Sequence, residues 1–241
     1  MQFENAERIL ATIRSINGSE TQHQIIEHVA KFISNYGFER IFLGQLVNPT
    51  SVQLKDIMYI SNWPQELQER RQKQLAILHD PIARCALNTN RPFQWAEAYE
   101  YGTRVGQHVV DMVHDYGIYD GWMFPMHAMD SITGGVSIGG KSPDVSPDDV
   151  RAIEIVAQSA YYQLQDMLGP FPYQKVASLS SRETECVQLA AAGKTNWEIA
   201  SILGIQEDSI KKTLKRAYKK LDASNRAHAV AISIASGQIL P

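Results

Sequence analysis

The sequence predicts an α+β protein of two domains, in which an α–β–α sandwich with an antiparallel sheet precedes a domain of four short helices. Three observations predict this division. The 241 residues suffice for two modest domains. Strand-like segments end near residue 140, and Gly169 to Tyr173 is a stiff, Pro-containing stretch that disfavours helix. We therefore expect domains over residues 1–168 and 177–241, joined by a linker over 169–176.

Charge is divided unevenly between the two predicted domains. The net charge of the chain is −3, but the segment from Ala177 onward holds nine Lys or Arg against six Asp or Glu, a balance of +3. The remainder, residues 1–176, therefore carries −6. A basic C-terminal module favours nucleic acid as its partner, whereas an acidic N-terminal half does not.

A few residues predict the cellular compartment and the absence of a metal site. Cys85 and Cys186 fall in different predicted domains, so we expect no structural disulfide and a reducing cytoplasm. The start of the chain has no signal-peptide pattern and no apolar run could cross a bilayer, so we expect no membrane partner. The seven histidines are scattered without ligand spacing, which predicts no metal site.

The N-terminal half alternates between helical and strand-like periodicity. Helices are predicted over residues 4–36 with a break at Asn17–Ser19, from Pro64, over 81–87 and 104–116, and from Pro147 to Leu168. Strands are predicted over 41–47, 54–60, 119–127 and 132–139, and residues 92–95 are expected to be short and extended. Runs of helices and strands in this order indicate a sheet between helical layers.

The C-terminal segment predicts four capped helices. Ser180 with Glu183, and Thr195 with Glu198, have the spacing at which a hydroxyl and a carboxylate each satisfy a backbone N–H at a helix start. Gly204 separates two helices by a tight turn, which is typical of a helix-turn-helix. The predicted helices run from Ser180 to Gly193, Trp197 to Leu203, Glu207 to Leu221 and Asn225 to Ser236.

The third of these helices combines an apolar stripe with a cationic face. The stripe is predicted to face inward and consists of Ile210, Leu214, Ala217 and Leu221. The remaining surface carries Lys211, Lys212, Lys215, Arg216, Lys219 and Lys220. Such a helix fits the major groove of DNA, where ammonium groups displace counterions from phosphates and side chains reach base edges. The alternative is an ordinary solvated lysine face, but the capped helix and the Gly204 turn before it favour DNA binding.

A specific set of motifs accompanies this pattern. They are Leu179-Ser-x-Arg-Glu, Ala192-Gly-Lys-Thr-Asn-x-Glu-Ile-Ala, Ile210-Lys, Lys220-Leu and Asn225-Arg-x-x-Ala-Val. They resemble the LuxR-type DNA-binding domain of bacterial transcription factors. The resemblance implies DNA contacts from Thr195, Asn196, Ser209, Lys211, Lys212, Lys215, Arg216 and Lys219.

One position departs from the DNA-binding pattern. Gln206 stands where the family usually has a Ser or Thr that caps the recognition helix. Glu207 and Asp208 still place negative charge in the first turn, which favours the helix dipole. They also bring negative charge towards phosphate, so we expect somewhat weaker binding to DNA.

A cluster of aromatic residues around one carboxylate distinguishes the N-terminal half. Its predicted members are Trp63, Asp80, Pro81, Phe93, Trp95, Trp122 and Phe124. Aromatic walls with a single carboxylate suit a small, mostly apolar ligand that carries one N–H donor. The alternative interpretation is that Asp80 only caps the helix beginning at Pro81 and that the aromatic rings form core.

The resemblance to LuxR-type regulators extends, more loosely, over most of residues 1–168. It is carried by Asp80-Pro81, by Trp95 and by Gly121. Such regulators commonly bind an acyl-homoserine lactone in an α–β–α sandwich. The resemblance implies that Asp80 accepts a hydrogen bond from the ligand amide, that Trp95 packs beside the lactone ring, and that Ser137 meets the amide region.

Two positions depart from the pattern of the ligand domain. Leu67 stands where the family has a Trp that donates to the lactone carbonyl, and Arg71 where it has a Tyr that reaches a ligand carbonyl. Losing such a donor costs about 1–3 kcal/mol, or roughly ten- to a hundredfold in affinity. Trp63 occupies the slot of an upstream aromatic and could replace the donor only by a different geometry. Arg71 suits a more polar or anionic ligand. We expect a site that either recognises something else or no longer responds.

The sequence thus predicts a ligand-responsive regulator that binds a palindromic promoter site as a homodimer. Double-stranded DNA, a second copy of the chain and a small-molecule signal are the expected partners, with RNA polymerase as a candidate and no cofactor beyond the effector. An apolar face of the last helix suits dimerisation or an intramolecular core, and consists of Val230, Ala231, Ile234 and Ala235. Two alternatives are a regulator without a ligand and an enzyme using Asp80 or Cys85. No base is evident near Cys85, which disfavours the enzyme.

Overall fold

The computed structural model describes residues 2–45, 59–73, 79–100, 102, 104–127, 133–168 and 177–240. The described residues up to 168 belong to one compact unit and those from 177 belong to a second. The predicted linker over 169–176, and residues 46–47 and 54–58 of the first predicted hairpin, lie outside the described residues. The domain boundaries stay predictions.

The first unit is a sheet with helices before, between and after its strands. Its helices are α1 (Gln2–Asn17), α2 (Gln22–Ile33), α3 (Gln65–Lys73), α4 (Pro81–Ala86), α5 (Trp95–Tyr99), α6 (Arg104–His114) and α7 (Pro147–Leu168). Its strands are β1 (Arg40–Gln45), β2 (Tyr59–Ser61), β3 (Phe93–Gln94), β4 (Asp120–His127) and β5 (Thr133–Gly140). The strands form one antiparallel sheet in the order β2-β1-β5-β4-β3.

Helices cover both faces of this sheet and enclose two apolar cores. On one face α1, α2 and α7 pack over Leu43, Phe124 and Val136. On the other face α3 to α6 enclose a second core that includes Trp95 and Met123. The α–β–α sandwich with an antiparallel sheet that the sequence predicts is therefore confirmed.

The alternation of side chains along β4 divides the predicted aromatic cluster. Met123 belongs to the core with Trp95, whereas Phe124 is buried in the opposite core and Trp122 packs against it. The rings of Trp122 and Phe124 stack with their centroids 6.5 Å apart. Because successive residues of a strand point to opposite faces, the two neighbours of Met123 cannot share its side of the sheet. The prediction that Trp122 and Phe124 line the candidate site is wrong.

The backbone also turns earlier than predicted before Trp95. Phe93 and Gln94 pair with β4, but Trp95 begins α5 instead of extending the strand. A capping box starts this short helix, and in it the Glu97 carboxylate accepts a hydrogen bond from the backbone N–H of Gln94 at 2.8 Å. The prediction of extended backbone through Trp95 is therefore wrong.

The second unit consists of four helices, as predicted. They are α8 (Ser181–Ala191), α9 (Asn196–Leu203), α10 (Glu207–Lys220) and α11 (Arg226–Ala235). The capping boxes of α8 and α9 both form, and Gly204 ends α9 with φ of +64°. Cys186, Ile199 and Leu214 contribute to one shared core. Within the described ranges, no helix has the length and apolar character needed to cross a bilayer.

Candidate ligand site and nucleic-acid interface

One side of α3 carries three residues spaced four positions apart, namely Trp63 just before the helix and Leu67 and Arg71 within it. Trp63 and Leu67 are buried, and the Arg71 side chain is 24% exposed. The guanidinium carbon of Arg71 lies 5.4 Å from the centre of the Trp63 ring, which is within cation–π range. This spacing brings the predicted aromatic residue and both family departures into one cluster.

The Asp80 carboxylate is engaged on both oxygens. Oδ1 caps α4 by accepting hydrogen bonds from the backbone N–H of Ile82 at 2.8 Å and of Ala83 at 3.4 Å. Arg71 Nη2 donates to Oδ2 at 2.5 Å. The Asp80 side chain is only 7% exposed, so a paired cation offsets much of the cost of burying its charge. The capping interpretation is realised, together with an ion pair that the sequence did not predict.

Trp95 rests on a flat floor made by two glycines. Gly121 and Gly139 face each other in the register of β4 and β5. A Cβ at Gly121 would lie 2.5 Å from Trp95 Cε2, and one at Gly139 would lie 2.3 Å from Trp95 Cη2. The indole is fully buried and its Nε1 donates to Ser137 Oγ at 3.1 Å. The structure thus brings the predicted residues Trp95 and Ser137 into direct contact.

Trp63 completes the aromatic part of the cluster. Its ring centre is 6.1 Å from that of Trp95, and Phe93 is buried in the same core. The indole Nε1 of Trp63 is buried and has no hydrogen-bond partner among the described residues. A buried donor without an acceptor costs about 1–3 kcal/mol, so a bound acceptor would gain that much.

Tyr99 is a member of this cluster that the sequence reasoning missed. Burial, and then the nearby charge of Asp80, raise the pKa of its phenol, so the hydroxyl stays protonated at neutral pH. The signal was available, since Tyr99 lies one helical turn after Trp95 and both follow the Gln94 cap. Cys85 lies nearby on α4, and burial raises the pKa of its thiol, which disfavours a nucleophilic thiolate.

In the second unit, α10 separates buried and charged side chains along its length. Ile210, Leu214 and Ala217 are buried, which confirms the predicted stripe. The cationic residues of the opposite face are exposed, as are Ser209 at its start and Thr195 at the cap of α9; Asn196 is half-buried. These exposed cations are Lys211, Lys212, Lys215, Arg216, Lys219 and Lys220.

The cations of α10 differ in whether a carboxylate already holds them. Lys211 Nζ lies 2.9 Å from Glu207, and Lys212 Nζ lies 2.8 Å from Asp208. Across the described part of the chain, no carboxylate pairs with Lys215, Arg216 or Lys219. Glu207 and Asp208 thus compete with DNA for the first two lysines, whereas the latter three cations have no such competitor among the described residues. The side chain of Gln206 makes no capping bond, as its residue type predicts.

Lys220 has a structural partner that the sequence reasoning missed. Its Nζ donates to Glu183 on α8 at 2.6 Å, and the Glu183 side chain is 5% exposed. Burial opposes ionisation of Glu183, but hydrogen bonds from Lys220 and from the backbone of Ser180 outweigh it and lower the pKa of the carboxyl. The pair therefore stabilises the fold at neutral pH, and that contribution is lost as pH falls through the lowered pKa.

Arg226 holds the start of α9 in place from α11. It donates to the Asn196 side chain at 3.2 Å and to the carbonyl of Lys194. Asn196 is therefore committed in part to this contact, which fixes the turn that presents Thr195. The family motif Asn-Arg contained this residue, but its role depends on how α11 packs and not on local spacing.

The chain matches two known protein families. Residues 21–164 match the autoinducer binding domain, and residues 177–233 match the bacterial regulatory proteins of the luxR family. The first match covers the unit with the aromatic cluster, and the second covers the unit with the cationic helix.

Several known regulators resemble the chain over most of its length. It is 31% identical over 217 residues to the HTH-type quorum sensing-dependent transcriptional regulator RpaR of Rhodopseudomonas palustris, covering 89% of this chain and 88% of that one. It is 30% identical over 202 residues to the transcriptional activator BjaR1 of Bradyrhizobium diazoefficiens, covering 83% and 82%. The transcriptional activator LuxR of Aliivibrio fischeri is 24% identical over 243 residues, covering 97% and 94%.

Solved structures share the fold. Escherichia coli SdiA matches with a TM-score of 0.64 at 18% identity, covering 97% of this chain and 98% of that one. SdiA in complex with octanoyl-rac-glycerol matches with a TM-score of 0.62 at 17% identity, covering 96% and 94%.

Proposed function

Because the chain belongs to the LuxR-type family of bacterial transcriptional regulators, we propose that it binds a palindromic promoter site as a homodimer and responds to a small molecule. The family makes the chain a DNA-binding regulator rather than an enzyme. The second unit holds the DNA-binding surface, and the first unit holds the site for the effector. It acts in the bacterial cytoplasm, at the nucleoid when bound to DNA, with RNA polymerase as a candidate partner.

The exposed face of α10 is the observation that carries the proposal for DNA. Lys215 and Lys219 lie one turn apart, exposed and without a carboxylate partner in the described ranges, and Arg216 is beside them. Phosphate oxygens are the natural partners of such free cations. Lys211 and Ser209 lie nearer the helix start, which is the end that reaches base edges in a helix-turn-helix. On binding, Lys211 would exchange Glu207 for DNA.

Exposed apolar side chains of the first unit support the homodimer. Helices α1 and α7 pack side by side, and they expose Leu10 (54%), Ile155 (48%) and Tyr162 (58%). Ile155 and Tyr162 are seven residues apart on α7 and therefore share one face. A twofold axis through this face would pair it with its own copy, matching the symmetry of a palindromic site.

The last helix contributes less apolar surface than the sequence indicated. Val230 and Ile234 are half-buried and pack against the core of their own unit, and Ala231 is exposed. The intramolecular interpretation accounts for most of this face. We therefore place the larger dimer contact on α7 and a smaller one on α11.

Replacing Lys215 with Ala tests the proposed DNA surface. We expect weaker operator binding and a shallower dependence of the affinity on salt, because each phosphate contact contributes about 0.9 to the logarithmic slope. A homodimer loses the contact twice, so the slope should fall by about 2. Fluorescence anisotropy with a labelled operator at several salt concentrations measures both quantities.

Lys141→Ala is the charge-matched control, because Lys141 is exposed on the first unit, just after β5. It should leave the affinity and the slope unchanged. An unchanged salt slope in Lys215→Ala would mean that another surface of the chain meets the phosphates.

A second candidate is a regulator that needs no ligand or answers a signal other than an acyl-homoserine lactone. The engagement of both Asp80 oxygens favours it, because a ligand amide would have to compete with Arg71 for the acceptor expected to receive it. Melting temperatures with acyl-homoserine lactones of several chain lengths test the ordinary lactone response. Mass spectrometry of small molecules that co-purify with the chain separates a ligand-free regulator from one with another signal.

A further inference from the structure

We infer that the Arg71–Asp80 pair shifts the hydrogen-bonding balance of the ligand site towards donors, so that the site favours a neutral, mostly apolar molecule offering acceptors, such as an ester or a ketone. Such a site gains less from an amide N–H on the ligand than a site in which the Asp80 carboxylate is not paired with Arg71. The inference rests on the proposed small-molecule response of the first unit and names the chemical class of its effector.

The acceptors of the cluster are largely in use. Asp80 Oδ1 accepts two backbone N–H groups of α4, and Oδ2 accepts Arg71 Nη2 at 2.5 Å. Ser137 Oγ accepts the indole N–H of Trp95. A ligand amide N–H would therefore have to share Oδ2 with a charge-assisted bond or displace it, and that bond is worth more than a neutral one.

The donors of the cluster are in surplus. Trp63 is only 9% exposed, and its buried indole Nε1 has no hydrogen-bond partner in the described ranges. Arg71 carries five N–H donors, of which the ion pair with Asp80 uses one. The Ser137 hydroxyl, which already accepts, retains its proton for donation, and Tyr99 keeps its phenolic proton. A carbonyl or ester oxygen satisfies such groups, whereas an N–H does not.

The same ion pair makes the site neutral. The guanidinium of Arg71 and the carboxylate of Asp80 cancel, and the carboxylate is 93% buried. An anionic ligand that took Arg71 for itself would leave Asp80 buried and unpaired, which is strongly unfavourable. The anionic ligand that Arg71 alone indicates in the sequence is therefore disfavoured once its partner is known.

A pair of probes that differ by one atom tests the inference. N-octanoyl-homoserine lactone offers an amide N–H, and α-octanoyloxy-γ-butyrolactone replaces that N–H with an ester oxygen. Titration calorimetry on the full chain should give the ester a dissociation constant equal to or below that of the amide. Octanoate, the anionic probe, should bind at least about a hundredfold more weakly than the ester, since it has to break the ion pair.

Two variants separate the roles of the pair and of the free indole. Arg71→Met keeps an apolar stem and releases Asp80 Oδ2, so the amide should become preferred over the ester by about tenfold. Because this variant leaves Asp80 unpaired, its thermal unfolding is measured first, and the probes are compared at a temperature where it is folded. Trp63→Phe keeps a ring and removes the donor, so affinity for both lactone probes should fall about tenfold. Trp122→Phe is the matched control, because Trp122 belongs to the opposite core; it should change neither affinity.

Four outcomes would overturn the inference. They are a tenfold preference of the unmodified chain for the amide, an unchanged probe ratio in Arg71→Met, octanoate binding as tight as that of the ester, and binding of neither lactone probe. Operator binding by the second unit is measured separately and tests the proposed regulator. If neither lactone probe binds but operator binding is intact, the chain is still a DNA-binding regulator, and its effector belongs to another chemical class.

Discussion

At the scale of single residues, the site depends on what its glycines allow as much as on its polar groups. Trp95 can lie flat on the sheet because Gly121 and Gly139 present bare backbone beneath it. From that position its indole reaches Ser137 and packs against Trp63. The glycine in the family signature is thus explained by close packing, with no need for an unusual backbone conformation.

Gly121→Ala tests this packing. The added methyl group would lie 2.2 Å from the carbonyl oxygen of Ile138 and 2.5 Å from the Trp95 ring, so backbone or indole has to move. We expect a loss of about 1–3 kcal/mol in unfolding free energy, as for other overpacked core positions, and a shifted indole fluorescence spectrum. Urea unfolding of the full chain, followed by tryptophan fluorescence, measures both effects. Gly117→Ala does not serve as a control, because Gly117 has φ of +75° and would be strained on its own account.

Gly18→Ala is the better comparison, because its Cβ would meet no atom closer than the Arg14 carbonyl oxygen at 3.3 Å, and Gly18 follows α1 on the opposite layer of the sandwich from Trp95. It should leave the indole spectrum unchanged. A Gly121→Ala protein with the stability and spectrum of the parent would show that the sheet yields without cost at this position.

At the scale of elements, local signals predicted most of the fold. Capping boxes at Ser180 and Thr195 and the turn at Gly204 placed α8, α9 and α10 almost to the residue, because these signals act within one turn of the chain. The apolar stripe of α10 was equally local, and its buried residues are those that the spacing indicated.

The sequence did not predict side-chain contacts between different helices and strands. Arg71 on α3 meets Asp80, the cap of α4, across nine residues, and Lys220 on α10 meets Glu183 on α8 across 37 residues. The family resemblance assigned Arg71 to the ligand site, and helical spacing assigned Lys220 to the cationic face. The sequence also placed Trp122 beside Trp95. Alternation along a strand shows that neighbouring residues lie on opposite faces of the sheet, but it does not show which core each face contacts.

The missing cap of α10 gives a prediction for that element. Gln206 has extended backbone at the N-cap position but its side chain forms no capping bond. Gln206→Ser supplies a short hydroxyl suited to accept the N–H of the first turn, so we expect about 1 kcal/mol of added stability. Thermal unfolding monitored by circular dichroism measures the change.

Gln206→Ala is the matched control, because alanine cannot cap, and it should add no stability. If the serine variant melted at the temperature of the alanine variant, the free N–H groups of the first turn would have to be satisfied already. A capping side chain at position 206 would then have no effect on how α10 presents its lysines.

At the scale of the whole molecule, the exposed apolar face of α7 should decide whether the proposed homodimer forms and reads a palindrome. In a twofold interface every residue occurs twice, so a charge placed there is buried twice on association. Ile155→Asp should therefore raise the dimer dissociation constant at least about tenfold, as measured by sedimentation equilibrium. Leu87→Asp is the control, because Leu87 is similarly exposed, at 43%, but follows α4 on the opposite layer of the sandwich.

Loss of the dimer should carry through to DNA. Two linked modules gain affinity from effective concentration, so an Ile155→Asp chain that is monomeric should bind a full palindrome about a hundredfold more weakly while its affinity for an isolated half-site stays unchanged. Anisotropy with full and half operators separates the two quantities. A monomeric variant with full operator affinity would mean that α10 binds each half-site independently, and an Ile155→Asp chain that stays dimeric would move the twofold contact to α11.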